Sequence, residues 1–277
     1  MSMHSPHRQT SWDWRAAGNF IGGGTGSGLL ALGFAAGLPP SLTAVVGGTL
    51  IGLGLACVWL EIGRPWRALN VFFHPQTSWM TREGIVAMAL YAVGSGAALL
   101  SSPGLLGLMA LVAMGFVWCQ GRILTSAKGI PAWRAGLTLP LILATAAAEG
   151  AGAAVLLAGV TGADVPWLGR GLALLLALRY VVWRAYLARL KAPAQAMAAA
   201  RRLDMPLVLA GHLLPALLAV FGLSLAAGLL AVVAGWVLKY VLITRMAMTQ
   251  GFALPVTPAR GRGTTGTGVK PGWGAAS

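Results

Sequence analysis

The sequence predicts an all-α polytopic membrane protein with eight transmembrane helices. Three observations carry that expectation. Only 9% of the 277 residues are charged and 57% are hydrophobic, with a mean hydropathy of +0.76, whereas about 25% of residues in a soluble domain are charged. Apolar runs of the length needed to cross a bilayer, about 20 residues, recur along the chain. The basic residues fall in every second connection between those runs. The formal net charge of +14 is therefore read as topology rather than as a surface for nucleic acid.

Residues 1–15 form a polar, Trp-bearing segment with no small-x-small cleavage site, so the run that follows is expected to be a helix rather than a signal peptide. The eight expected helices are 16–37, 41–62, 83–101, 104–124, 135–160, 167–190, 206–221 and 223–245. The first holds Gly22-Gly23-Gly24-Thr25-Gly26-Ser27-Gly28, a poor helix in water. In a bilayer such residues let backbones approach closely or leave room for a flat ligand. Residues 206–245 form one apolar run spanning 40 positions, too long for one crossing, and Gly222 with Ser224 permits a tight turn between two helices. The membrane domain spans 16–249. The Gly/Pro/Thr-rich tail, 250–277, is expected to be extended or disordered.

Arg8, Arg15, Arg64, Arg67, Arg82, Arg122, Lys128, Arg134, Arg184, Arg189, Lys191, Arg201, Arg202, Arg245, Arg260, Arg262 and Lys270 share one side, 17 of the 20 basic residues. The other side has Arg170, while Arg179 and Lys239 fall inside helices. Cytoplasmic loops concentrate Lys and Arg, so both termini are expected in the cytoplasm of an inner-membrane protein. An odd helix count would scramble the alternation.

Ionisable groups inside membrane helices are costly and are functional candidates. Glu149 lies about 22 Å along its helix from Arg134, and Arg179 about 15 Å from Arg189. Both are near the bilayer middle, which predicts an intramembrane Glu149–Arg179 ion pair, serving packing or proton conduction. His212 and Lys239 sit about 10 and 9 Å inside the cytoplasmic helix ends, with Glu61, Arg82 and Glu83 near the same face. Cys57 and Cys119 lie in apolar segments without cluster or zinc spacing and read as buried free thiols. His212 is the lone intramembrane histidine. A b haem normally takes two axial ligands of the His/His or His/Met kind, so neither haem nor iron–sulfur cluster is expected in this chain.

The connection between helices two and three is unusual. It contains Gly63-Arg64-Pro65-Trp66-Arg67-Ala68-Leu69-Asn70 and then His74-Pro75-Gln76-Thr77-Ser78-Trp79-Met80-Thr81-Arg82-Glu83. Thr81 is placed to cap the next helix. The loop is either an interfacial re-entry anchored by tryptophans or a docking platform on a rigid scaffold.

These residues carry a family resemblance. Leu60 to Asn70 and Thr77 to Glu83, with Gln120-Gly121-Arg122-Ile123-Leu124, Lys128-Gly129-Ile130-Pro131-Ala132-Trp133-Arg134 and Asn19 beside the Gly-rich stretch, resemble the dimethyl-sulfoxide-reductase membrane-anchor family (DmsC-like). More broadly they are similar to the NrfD and polysulfide-reductase membrane subunits. The string from His74 to Glu83 and Gln250-Gly251-Phe252-Ala253-Leu254-Pro255 look most like the phenylacetyl-CoA:acceptor oxidoreductase membrane subunit, and a sulfite dehydrogenase anchor is the close competitor.

The resemblance implies a haem-free anchor that exchanges electrons between a partner iron–sulfur subunit and membrane quinone, ubiquinone or menaquinone. A molybdopterin catalytic subunit would hold the substrate chemistry. Quinone binding or proton transfer then falls to Asn19, Glu61, Arg64, His74 and Arg82, with His212 and Lys239 as second choices. Arg64, Arg67 and Trp79 become candidates for docking the iron–sulfur partner. The rival reading is a small-solute or ion transporter with Glu149, Arg179 and the Gly-rich helix along its path. The paired broken helices of many transporters are not evident. A structural anchor without quinone chemistry is the third reading.

Overall fold

The computed structural model describes residues 2–60 and 65–254. Its helices are α1 (Trp14–Ala35), α2 (Pro40–Trp59), α3 (Trp79–Leu100), α4 (Pro103–Ser126), the single turn α5 (Pro131–Arg134), α6 (Thr138–Thr161), α7 (Pro166–Arg189), α8 (Ala194–Val220) and α9 (Ser224–Arg245). The chain is an all-α, multi-spanning membrane protein. Among the described residues, seven helices are long and apolar enough to cross a membrane, namely α2, α3, α4, α6, α7, α8 and α9. Helix α1 has 22 residues, but its glycines dilute its hydropathy.

Local chemistry sets the helix ends. Pro40, Pro103, Pro131 and Pro166 each open a helix, where a missing N–H costs nothing. Asp13 caps α1 by accepting from the Arg15 amide at 2.8 Å. Ser78 caps α3 by accepting from the Thr81 amide at 3.3 Å, so α3 starts earlier than expected and Thr81 is not its cap. The Thr81 hydroxyl instead donates to the Val71 carbonyl, tying the preceding 3-10 helix (Pro65–Phe73) to α3.

Helix α8 also starts earlier than expected, because its Ala-rich beginning is a strong helix former although Arg201, Arg202 and Asp204 lower its hydropathy. Asp204 holds that extension to α7, accepting from Trp183 Nε1 at 2.9 Å and Arg184 Nη1 at 2.6 Å. The expected turn between the last two helices is present, with Gly222 at φ 83°.

Helix α1 packs against α2, α4, α6 and α9, and glycine makes this possible. A Cβ at Gly150 of α6 would lie 2.1 Å from the Gly28 carbonyl carbon of α1, so any larger residue would push the two backbones apart. Leu99, Leu100, Val160 and Leu174 project outward as exposed side chains, as lipid-facing residues do. Strand β1 (Ser2–His4) pairs antiparallel with β2 (Phe252–Leu254). The Thr249 amide donates to the His7 carbonyl at 2.9 Å, and Gln250 donates to Gly129 at 3.2 Å. The start of the expected extended tail is thus a paired strand, and residues 255–277 lie outside the described residues.

Candidate functional site

Two polar constellations stand out in a largely apolar interior. The first borders a cleft of about 640 Å³ at the end of the bundle where α1 and α3 begin and α2 finishes. Its wall is apolar and aromatic, including Trp12, Phe20, Trp59, Phe72 and Tyr91. Two buried polar side chains reach it, Asn19 and Glu83. Asn19 Nδ2 donates to Glu83 Oε1 at 3.1 Å, and Gln120 Nε2 of α4 donates to the Asn19 carbonyl at 2.9 Å. Glu83 lies just past the first turn of α3, buried on its inward face, which the Ser78 cap and the Thr81–Val71 hydrogen bond fix in rotation.

The second constellation centres on the fully buried side chains of Lys239 and Glu149. Lys239 Nζ of α9 lies 2.6 Å from Glu149 Oε2 of α6. Thr25 of α1 donates to the same oxygen at 2.8 Å and accepts from Trp236 Nε1 at 2.8 Å. Small residues clear the space, since a Cβ at Gly24 would sit 2.1 Å from Lys239 Nζ, and one at Gly235 would sit 2.2 Å from Glu149 Oε1.

The expected Glu149–Arg179 pair is therefore corrected. Lys239 is the carboxylate's bonded partner, because the last helix brings it opposite α6, while Arg179 acts on Glu149 only through space. Arg179 Nε donates to His212 Nε2 at 3.2 Å, Nη1 to the Ala231 carbonyl at 3.1 Å and Nη2 to the Gly211 carbonyl at 2.6 Å. Pro215, four residues on from Gly211, has no N–H to give its carbonyl. His212 stands in a π-helical turn, Leu209–Leu213, a distortion common at functional positions. Its Nδ1 lies 2.8 Å from the Leu207 carbonyl. Arginine only donates and a carbonyl only accepts, so the ring is the neutral tautomer with hydrogen on Nδ1.

Of the residues expected at a quinone site, Asn19 borders the cleft. Arg82 does not: its guanidinium donates to the Pro75 and Gln76 carbonyls, both at 2.8 Å, and stacks 4.2 Å over Trp79. His74 is exposed on the loop, and its carbonyl accepts from the Thr77 and Ser78 amides. His212 and Lys239 belong to the deeper constellation. Glu61 and Arg64 lie outside the described residues, as does the side chain of Arg67. Trp79 is half-buried and also receives the Arg122 guanidinium at 5.0 Å.

Sequence reasoning did not select Glu83 itself, Gln120 or Thr25. Thr25 and Gln120 are polar residues inside apolar runs and Glu83 is an acidic residue at the head of one, and that was the available signal. No protein-family model matches the chain, and no curated protein matches it in sequence.

Proposed function

We propose that the chain is a haem-free membrane-anchor subunit that exchanges electrons between a partner iron–sulfur subunit, itself joined to a molybdopterin catalytic subunit, and ubiquinone or menaquinone. One observation carries this reading: an aromatic-walled cleft at the basic end of the bundle, with the Asn19–Glu83 pair in its wall. Ligand sites are largely apolar with a few polar groups that fix orientation, and a quinone head group is a flat ring with two carbonyl oxygens. When bound, the quinone supplies the electron carrier. Asn19 and Glu83 orient it and handle the protons that accompany its electrons. Glu61 follows Leu60 in sequence and Arg64 comes three residues later, and Arg67 and Trp79 are proposed for the soluble partner.

Haem is not part of this proposal, because both ring nitrogens of His212 are engaged by Arg179 and Leu207. We count α1 as an eighth crossing. Pairing of β1 with β2 supports this, since an odd number of crossings would put the two ends on opposite sides. The positive-inside bias favours the cytoplasm for both. Reporter fusions after Arg245 test the orientation, and a periplasmic signal there would reverse it.

The functional test is to purify the complex and compare turnover with quinone and with an artificial dye. Glu83→Gln, Glu61→Gln and Arg64→Ala should abolish the first and spare the second. Full quinone turnover in all three would remove them from the site. Copurification without any iron–sulfur or molybdopterin subunit would reject the anchor role.

A further inference from the structure

The unpartnered polar atoms of the interior are not scattered. Among the described residues, Asn19 Oδ1, Ser27 Oγ, Gln120 Oε1, Thr145 Oγ1 and Glu149 Oε1 are buried without a hydrogen-bond partner in the protein. All five lie on α1, α4 and α6, which pack on one another. Thr43 Oγ1, on α2, is a sixth such atom outside this group. Buried polar groups lacking a protein partner commonly mark internal water in native structures.

Helix α1 sets these groups in sequence. Asn19 bonds Glu83 at the cleft and holds Gln120 by its carbonyl. One turn further, a Cβ at Gly23 would lie 2.3 Å from Gln120 Nε2, and at the next residue, Gly24, 2.1 Å from Lys239 Nζ. Thr25 then donates to Glu149. From Asn19 to Thr25 is about 9 Å of helix axis. Within that distance the contacts pass from the cleft carboxyl to the buried ion pair.

We propose that the Asn19–Thr25 stretch of α1, whose successive residues turn from α4 to α9 and α6, borders a hydrated proton path joining Glu83 in the cleft to a proton-holding site at the Glu149–Lys239 pair. It rests on the quinone reading for what delivers protons to Glu83, but not for its own existence. The transfer is balanced without electrons. The Glu83 acid gives its proton to the first water and becomes a carboxylate, and the Glu149 carboxylate takes a proton from the last water and becomes the acid. Lys239 stays an ammonium, so the pair passes from net neutral to one positive charge. Glu149 Oε2 is engaged by Lys239 and Thr25, whereas Oε1 has no protein partner. Oε1 is thus the oxygen that takes the proton. The groups facing Glu149 are Lys239 from α9, Thr25 from α1 and, through space, Arg179 from α7. Beyond Arg179 lies the neutral ring of His212 from α8.

Infrared difference spectroscopy after a pH jump reads each carboxyl separately, on the full chain in lipid nanodiscs with no quinone added. Two carboxyl bands are expected, one removed by Glu83→Gln and the other by Glu149→Gln. Gln120→Leu should make the Glu149 band respond about tenfold more slowly, about 1.4 kcal/mol of added barrier, while the Glu83 band keeps its rate. Gly23→Ala, which pushes a methyl into the Gln120 carboxamide without deleting a polar group, should act in the same way. An unchanged Glu149 rate in both variants, or no band that Glu149→Gln removes, overturns the path. The quinone reading can fail separately, through a cleft that retains no quinone.

Discussion

Lys239 and Glu149 meet at 2.6 Å with both side chains wholly excluded from the surface, one from the last helix and one from α6. Taking two charges out of water is expensive, and attraction within the pair offsets that cost only while both partners remain. Lys239→Met should therefore destabilise the protein by about 3–5 kcal/mol. Adding Glu149→Gln to it should restore most of the loss. Denaturant unfolding in detergent micelles measures both, and a double variant no more stable than the single would show that the pair is not the source.

The pair needs the space that Gly24 and Gly235 leave for it. Alanine at either position would meet the ammonium or the carboxylate at 2.1 or 2.2 Å. Each substitution should cost about 1–3 kcal/mol through overpacking. Gly136→Ala is the control, because nothing lies within 4 Å of a Cβ there, and it should stay within about 0.5 kcal/mol of the parent. Equal melting temperatures for all three variants would contradict the packing argument.

Arg179 donates to the Gly211 carbonyl, which Pro215, four residues on, cannot serve. Arg179→Met strips the donors from the Gly211 carbonyl and His212 Nε2, at a cost of about 1–3 kcal/mol. In a Pro215→Ala background a backbone N–H becomes available to Gly211, so the same substitution should cost less. Strict additivity of the two changes in a double-mutant cycle would sink the assignment.

The bundle was legible in the sequence because bilayer crossing imposes length and apolarity on each helix, and most boundaries differ from expectation by only a few residues. The exceptions have chemical causes. The start of α8 carries Arg201, Arg202 and Asp204, which a hydropathy reading assigns to a loop, yet alanine makes it helical. The start of α3 was set by Ser78 rather than Thr81, and capping oxygens three residues apart are hard to rank from sequence.

The site was less legible. Depth along a helix placed Glu149 and Arg179 correctly as buried groups, but depth does not give rotation about the helix axis. Which cation faced the carboxylate was therefore open, and Lys239 holds that place. Glu83 escaped selection for a related reason, since its neighbour Arg82 shares its depth but turns outward to the Pro75 and Gln76 carbonyls.

The cleft bordered by Asn19 and Glu83 is proposed to hold quinone. Ala87 is a small cleft residue one turn beyond Glu83, and Ala87→Trp should fill the cleft without removing either polar side chain. The direct measurement is the amount of quinone extracted per mole of purified protein. A near-stoichiometric amount is expected from the parent and almost none from Ala87→Trp. Equal quinone content in the two, or none in the parent, would contradict it.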